Sequence, residues 1–341
     1  MINIKKIFSL CLLLLVLFSF GCEGSSQSKD HIPTHILIVQ PDDGRTPLTN
    51  AINEAQNSIC LTIYSLNDGT IEAAMKSARE RGVTVKVLYN YYSFSELERD
   101  YVTKIMSSLE TAGILVKRAS PEFTVTHQKT FSFDSAKSII MTFNLESNYF
   151  GGTRDFGIIT TDSREVLEIA KVFEADWSYS IVSPEVDSLV WSNNNSRTKI
   201  VALIQSATHS LEIYNEELED LECLNAMVAK ATSGVTVRVI SAQLGGTGMA
   251  DKNKKYREYL NSNGVQAKYM PTDSYLYCHA KMILVDYGTS NSKAFIGSEN
   301  FSTTSLDKNR ELGILVSEKE ILDRLHSTFE TDWPHCAFDP R

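Results

Sequence analysis

From residue 35 onward, short apolar runs alternate with longer segments whose apolar positions recur every three or four residues. Residues 35–40, 59–65, 83–89 and 114–117 have the length and β-branched content of strands. Residues 48–56, 70–81 and 95–112 have helical spacing, and Gly82 and Gly113 stop the last two. Three further runs, 126–133, 138–143 and 155–160, read as strands, and 165–177 reads as a closing helix. Alternating strands and helices predict an α/β fold built on a largely parallel sheet covered on both faces.

The pattern then repeats. The segment from Ile52 to Ile59 aligns with the segment from Ile204 to Leu211 at an offset of 152 residues. Gly82-Val-Thr-Val-Lys-Val aligns with Gly234-Val-Thr-Val-Arg-Val at the same offset. Phe173-Glu-Ala-Asp-Trp177 aligns with Phe329-Glu-Thr-Asp-Trp333 at 156, because residues 287–292 lengthen one turn of the second copy. A register held this long marks a duplication. The expected domains are 34–182 and 190–338, joined through 183–195.

Composition sets outer limits. The 341 residues leave room for about two domains. With 43% apolar and 22% charged residues, the chain is neither disordered throughout nor a multi-span membrane protein. Ahead of the repeat, Lys5 and Lys6 precede a 14-residue apolar run that ends at Gly21-Cys22. That run is shorter than the ~20 residues of a membrane span and has the layout of a secretory signal over 1–21. Gly-Cys at its end, followed by a polar tether over 22–33, resembles the lipidation site of a bacterial lipoprotein. The expected location is therefore the cell envelope, on the periplasmic face, with the membrane held through a lipidated Cys22. Removing 1–21 deepens the net charge from −9 to −11, since two lysines leave and no acid does. Such a chain is a poor general clamp for nucleic acid. Cys60, Cys223, Cys278 and Cys336 match no metal-ligand spacing and leave their pairing open.

Two short motifs carry chemistry, and they correspond in the repeat. His127-x-Lys129-x4-Asp134 lies in the first half and His279-x-Lys281-x4-Asp286 in the second. On a strand, residues two apart share a face, so each half is expected to present an imidazole beside an ammonium. A cation repels a metal ion, so the pair suits an anion, with Lys on phosphoryl oxygens and His as nucleophile or proton donor. Asp134 and Asp286 fall near the strand ends and are expected to be structural. Met141-Thr142-Phe143-Asn144 corresponds to Gly297-Ser298-Glu299-Asn300, a hydroxyl and an amide in position to meet phosphate. Arg154-Asp155-x-Gly157 corresponds to Arg310-Glu311-x-Gly313, a carboxylate able to orient an imidazole.

These residues resemble the phospholipase D superfamily over nearly the whole chain after the leader. The resemblance implies two phospholipase D-like domains packed about a pseudo-two-fold axis, a monomer with one central site. It implies no metal and no cofactor. His127 and His279 form the catalytic pair, one becoming a phosphohistidine and the other protonating the leaving alcohol; in relatives the N-terminal histidine, here His127, is usually the nucleophile. Lys129, Lys281, Asn144 and Asn300 bind phosphate, Thr142 and Ser298 assist, and Asp155 and Glu311 orient the rings. Met141 in place of glycine is expected to narrow the approach to phosphate in the first half.

The expected activity is hydrolysis, or transfer, of the head-group phosphodiester of a phospholipid. Nucleic acid is the alternative substrate, favoured by the compactness of each half. Transfer of the cardiolipin-synthase kind ranks third, because that reading expects transmembrane helices before the catalytic part. An aromatic loop, Tyr89-Asn-Tyr91-Tyr92-Ser-Phe94, and the glycine-rich Gly245-Gly-Thr-Gly248 border the expected crevice.

Overall fold

The computed structural model describes residues 34–92, 95–245 and 250–340. The leader, the tether with Cys22, Ser93-Phe94 and most of the glycine-rich loop lie outside the described residues.

The first half runs β1 (His35–Gln40), α1 (Thr46–Glu54), β2 (Ser58–Ile63), β3 (Leu66–Asn67), α2 (Gly69–Glu80), β4 (Thr84–Tyr89), α3 (Glu96–Thr111) and β5 (Leu115–Arg118). It continues through β6 (Thr130–Phe133), β7 (Lys137–Met141), β8 (Leu145–Glu146), β9 (Thr153–Thr160) and α4 (Ser163–Ser178). The second half repeats the plan with β10 (Leu189–Trp191), α5 (Ser196–Gln205), β11 (Ser210–Asn215), α6 (Leu221–Thr232), β12 (Thr236–Ser241), α7 (Lys254–Ser262) and β13 (Gln266–Tyr269). It closes with β14 (Tyr277–Cys278), β15 (Lys281–Val285), β16 (Lys293–Gly297), α8 (Thr303–Asp307), β17 (Leu312–Val316) and α9 (Lys319–Asp332). Matching caps support the repeat: Asp68 accepts from Thr70 N and Ile71 N at the start of α2, and Asp220 accepts from Cys223 N at the start of α6.

Each half has one main sheet, ordered β1-β9-β7-β6-β2-β4-β5 and β10-β17-β16-β15-β11-β12-β13. The expected largely parallel sheet is corrected here. Only β2-β4-β5 and β11-β12-β13 run parallel; every other neighbour in the two orders is antiparallel. The short turns after β6 and β15 are the reason, since a connection of a few residues joins only antiparallel strands. Asp134 and Asp286 take left-handed φ angles of 53° and 51° in those turns. Residues 183–195, read as a connection, contain strand β10.

Residues 34–341 form one compact unit. One apolar cluster belongs to the first half and another to the second. A third is built from both, joining Val39, Phe156 and Ile158 to Tyr214, Met282, Ile296 and Phe329. Contacts between the halves come in reciprocal pairs. Cys278 bridges Arg154 in parallel, and Thr126 bridges Arg310 in parallel. Arg154 donates to Asp332 at 2.7 and 3.0 Å, and Arg310 donates to Asp176 at 2.7 Å. Contact of residue i with j′ and of i′ with j is the signature of a two-fold relation, here within one chain. Among the described residues no helix is long and apolar enough to cross a membrane.

Candidate active site

The histidines are not on regular strands, contrary to the reading of 126–133 as one strand. His127 precedes β6 and His279 lies between β14 and β15. Each is held by the other half. The His127 and Gln128 amides both donate to the Arg310 carbonyl at 2.9 Å. The His279 and Ala280 amides donate to the Arg154 carbonyl at 3.3 and 3.0 Å. The carbonyl just before each carboxylate residue therefore carries the opposite half's imidazole.

The side chains cross in the same way. His127 Nδ1 donates to Glu311 Oε2 at 2.8 Å, and His279 Nδ1 donates to Asp155 Oδ1 at 2.9 Å. A carboxylate only accepts, so each Nδ1 carries a proton and Nε2 is left for chemistry. The carboxylates are themselves fixed. Glu311 Oε1 accepts from Ser305 Oγ at 2.6 Å and Asn309 Nδ2 at 2.9 Å. Asp155 accepts from Thr142 Oγ1 at 2.5 Å and Thr153 Oγ1 at 2.6 Å. Burial works to raise the Glu311 carboxyl, but His127 and Lys129 beside it hold it below the ordinary carboxylate range.

Lys129 and Lys281 are buried, and each ammonium donates to the carbonyl of its own motif histidine. Burial, with Lys281 nearby, pushes Lys129 down to about 7 although Glu311 opposes it. Burial also lowers His127, and the two lysines add to that against Glu311. A neutral imidazole and a cation waiting for an anion are what an attack on phosphate needs.

Asn144 and Asn300 are buried beside the pair, and among the described residues each Oδ1 is without a partner. Asn144 Nδ2 donates to Tyr149 OH at 3.1 Å and Asn300 Nδ2 to Glu216 Oε2 at 3.3 Å. Thr142 and Ser298, expected to assist with phosphate, do not face the cleft. Thr142 Oγ1 is taken by Asp155 and by the Phe156 amide at 2.9 Å, and Ser298 Oγ accepts from Leu312 N at 3.2 Å. Strand pairing turns both inward, where they brace the strand that carries the carboxylate. Met141 also does not narrow the approach to phosphate. It is fully buried in the first-half core, and a Cβ on Gly297 would meet the Gly313 Cα at 2.5 Å within the second-half sheet. Asp134 accepts from the Gln56, Asn57 and Ser58 amides at 2.7–2.8 Å, and Asp286 accepts from the Thr208, His209 and Ser210 amides. Both anchor the strand after their motif to the loop before β2 or β11.

A cavity of about 480 Å³ opens on His127 and is lined by Tyr64, Glu217, Glu219, Tyr256, Asn300 and Glu311 among others. Burial, together with Glu216, raises Glu217 to about 7. Tyr91 of the aromatic loop packs under the Arg118 guanidinium at 3.7 Å. Cys60, Cys223, Cys278 and Cys336 carry free thiols.

The sequence reading missed Glu216, Tyr64, Tyr149 and Tyr277. Tyr149 stands edge-on to His279 with centroids 4.8 Å apart, and Tyr64 stands edge-on to His127 at 5.0 Å. Tyr64 and Glu216 each follow a parallel strand at its carboxyl end, where crevice residues collect. That signal was open to the sequence. Tyr149 arrives from the opposite half and had none.

Two crossed imidazole–carboxylate pairs on a duplicated mixed sheet define a phospholipase D fold. The chain matches the family described as "Cardiolipin synthase, PLD-like domain" over residues 48–177 and again over 200–333, and it belongs to that family within the phospholipase D superfamily. Cardiolipin synthase 1 of Bacillus anthracis is 21% identical over 365 residues, covering 92% of this chain and 69% of the relative. Two solved structures share the fold. Polyphosphate kinase from Porphyromonas gingivalis matches with a TM-score of 0.69 and 16% identity, over 88% of this chain and 47% of its own, so this chain spans about half of it. Phosphatidylserine synthase from Haemophilus influenzae matches with a TM-score of 0.67 and 13% identity, over 89% of this chain and 86% of its own.

Proposed function

We propose that the protein cleaves the head-group phosphodiester of a phospholipid through a phosphohistidine and passes the phosphatidyl group to water or to an alcohol. The observation that carries this reading is the crossed pair, His127 on Glu311 and His279 on Asp155. One Nε2 attacks phosphorus as the bond to the leaving alcohol breaks. The other imidazolium gives that alcohol its proton, then takes a proton from the acceptor as the acceptor attacks phosphorus and the P–N bond breaks. Lys129, Lys281, Asn144 and Asn300 hold the phosphoryl oxygens. The phospholipid substrate is supported by the family description and by relatives named as cardiolipin synthases. Transfer, placed third from the sequence, gains weight from those names. Glu217 and Glu219 on the cavity wall disfavour a polyanionic strand. Export, a lipidated Cys22 and a monomer complete the proposal.

The test offers the purified chain vesicles of phosphatidylcholine or phosphatidylglycerol, with and without added glycerol, beside single- and double-stranded DNA. Release of head group, or exchange for glycerol, without nucleotide release supports the reading; DNA cleavage alone overturns it. His127→Ala and His279→Ala are expected to lose at least about 1,000-fold in turnover with unchanged melting behaviour, and EDTA is expected to leave the rate intact. Full activity in both variants sinks the assignment.

A further inference from the structure

One surface of the first half lacks the cover that its counterpart in the second half has. Counting from Phe173 and Phe329, Tyr179 corresponds to His335 and Ile181 to Ala337. In the second half the chain turns back at that point. Ala337 exchanges two backbone hydrogen bonds, at 2.9 and 3.0 Å, with Tyr269 at the end of edge strand β13, and His335 stacks on Tyr275 with centroids 4.4 Å apart. Among the described residues no segment pairs with the outer edge of β5, the equivalent strand of the first half. Tyr179 is instead 50% exposed and Ile181 93% exposed, the highest value among the described large apolar side chains.

Other groups gather around these two. Tyr179 OH donates to the Arg118 carbonyl at 2.7 Å, and Lys117 Nζ lies 3.7 Å from the Tyr179 ring centroid. The exposed Arg118 guanidinium lies 3.7 Å from the Tyr91 centroid, and Tyr91 meets Tyr92 edge-on at 6.0 Å. Tyr92 is 43% exposed. Glu122 borders this surface at a small cavity that Tyr179 and Ile181 also line. Tyrosine, arginine and lysine side chains each join an apolar body to a polar end, which suits them to the head-group level of a bilayer. In a chain of net charge −9, Lys117 and Arg118 place two cations here that complement lipid phosphates.

The surface stands at the same end of the sheet as the catalytic cleft. Strands β2, β4 and β5 run parallel, with Ile63 opposite Tyr89 and Tyr89 opposite Arg118. Tyr64, next after Ile63, stands against His127, so Arg118 is two strand spacings, about 10 Å, from the end of the strand that delivers Tyr64. Between them, Asn90 Oδ1 accepts from the Thr126 amide beside His127 at 3.1 Å. A phospholipid presents its phosphate at the bilayer surface, and an enzyme that takes it into a cleft must hold the mouth of that cleft against the surface. Resting on the reading of the substrate as a phospholipid, we propose that Tyr92, Tyr179 and Ile181 seat the protein on a phospholipid bilayer, with Arg118 and Lys117 on lipid phosphates.

The experiment uses a chain beginning at Glu23, which keeps the whole compact unit of residues 34–341 and lacks the leader and Cys22. Partition onto vesicles of phosphatidylcholine and phosphatidylglycerol is read by sedimentation. Turnover is read on the same vesicles and on dihexanoyl phosphatidylglycerol, which is monomeric in water. Tyr92→Ser combined with Ile181→Asp is expected to lose about 10-fold in partition and in vesicle turnover, and to change by less than about twofold on the monomeric lipid. Leu167→Asp, at an exposed apolar residue of α4, which starts at the opposite end of the sheet, is expected to change none of the three. Ile181→Asp alone repeats the test where the double variant fails to fold. Unchanged partition in the double variant overturns the inference, and so does an equal loss on the monomeric lipid. A wild-type dimer that the double variant turns into a monomer puts a second copy on this surface and also overturns it. Partition through this surface without cleavage of any lipid supports the docking inference and removes the phospholipid reading.

Discussion

Lys129 illustrates how burial alters one side chain's chemistry. Its ammonium is buried and is pushed down to about 7, so near neutral pH it only partly holds its charge. An anion restores that charge. Sulfate binding at pH 8 is therefore expected to take up a proton, seen as a heat that varies with the ionisation enthalpy of the buffer, and Lys129→Met is expected to abolish the uptake. Glu299 is the opposite case. It is fully buried, and burial with Glu311 nearby raises it well above the ordinary range against the pull of the Glu299 and Ser298 backbone amides. Its folded form keeps a proton that the unfolded chain releases near 4.5, so it costs stability as pH rises above that value. Glu299→Gln is expected to be more stable than wild type by a margin that widens from pH 5 to pH 8 in urea melts. Its counterpart is Phe143, whose ring packs over Gly157, and the second half makes the equivalent room by facing Gly297 with Gly313.

Between elements, the firmest tie is Arg154 to Asp332, from strand β9 to helix α9 of the other half. Asp332 is fully buried and also accepts from Tyr214 OH and Tyr275 OH at 2.7 Å. Removing one partner strands a buried charge, which costs about 3–5 kcal/mol. Asp332→Ala is expected to lose that much in urea unfolding, and Arg154→Met with Asp332→Leu is expected to recover most of it. The reciprocal tie, Arg310 to Asp176, is less complete, since among the described residues Arg310 Nε has no partner. The repeated Arg-acid-x-Gly and Phe-Glu-x-Asp-Trp segments were visible in the sequence as motifs. Their joining was not, because the partners are 178 and 134 residues apart and belong to different copies. The same holds for the strand directions. Apolar runs show where strands lie, while direction follows from which turns are short.

At the scale of the whole molecule, neither half carries a finished site or a finished core. Residues 34–182 alone have His127 without Glu311 and only seven of the 27 buried residues of the shared apolar cluster. Each half expressed by itself is expected to lack a cooperative unfolding transition by circular dichroism, and a cooperative melt with native content in either one refutes this. The duplication, the HxK pairs, the carboxylates Asp155 and Glu311 and most element positions were legible in the sequence, because repeats and periodicity are local and linear. Thr142 and Ser298 were misread because a hydroxyl beside a motif says nothing of the face it takes in a sheet. The crossing of each imidazole to the other half's carboxylate was decided by tertiary structure alone. Sequence determines which groups each copy owns; packing the copies about a two-fold relation determines which groups meet, since burial, distance and the available acceptors are properties of the assembled site.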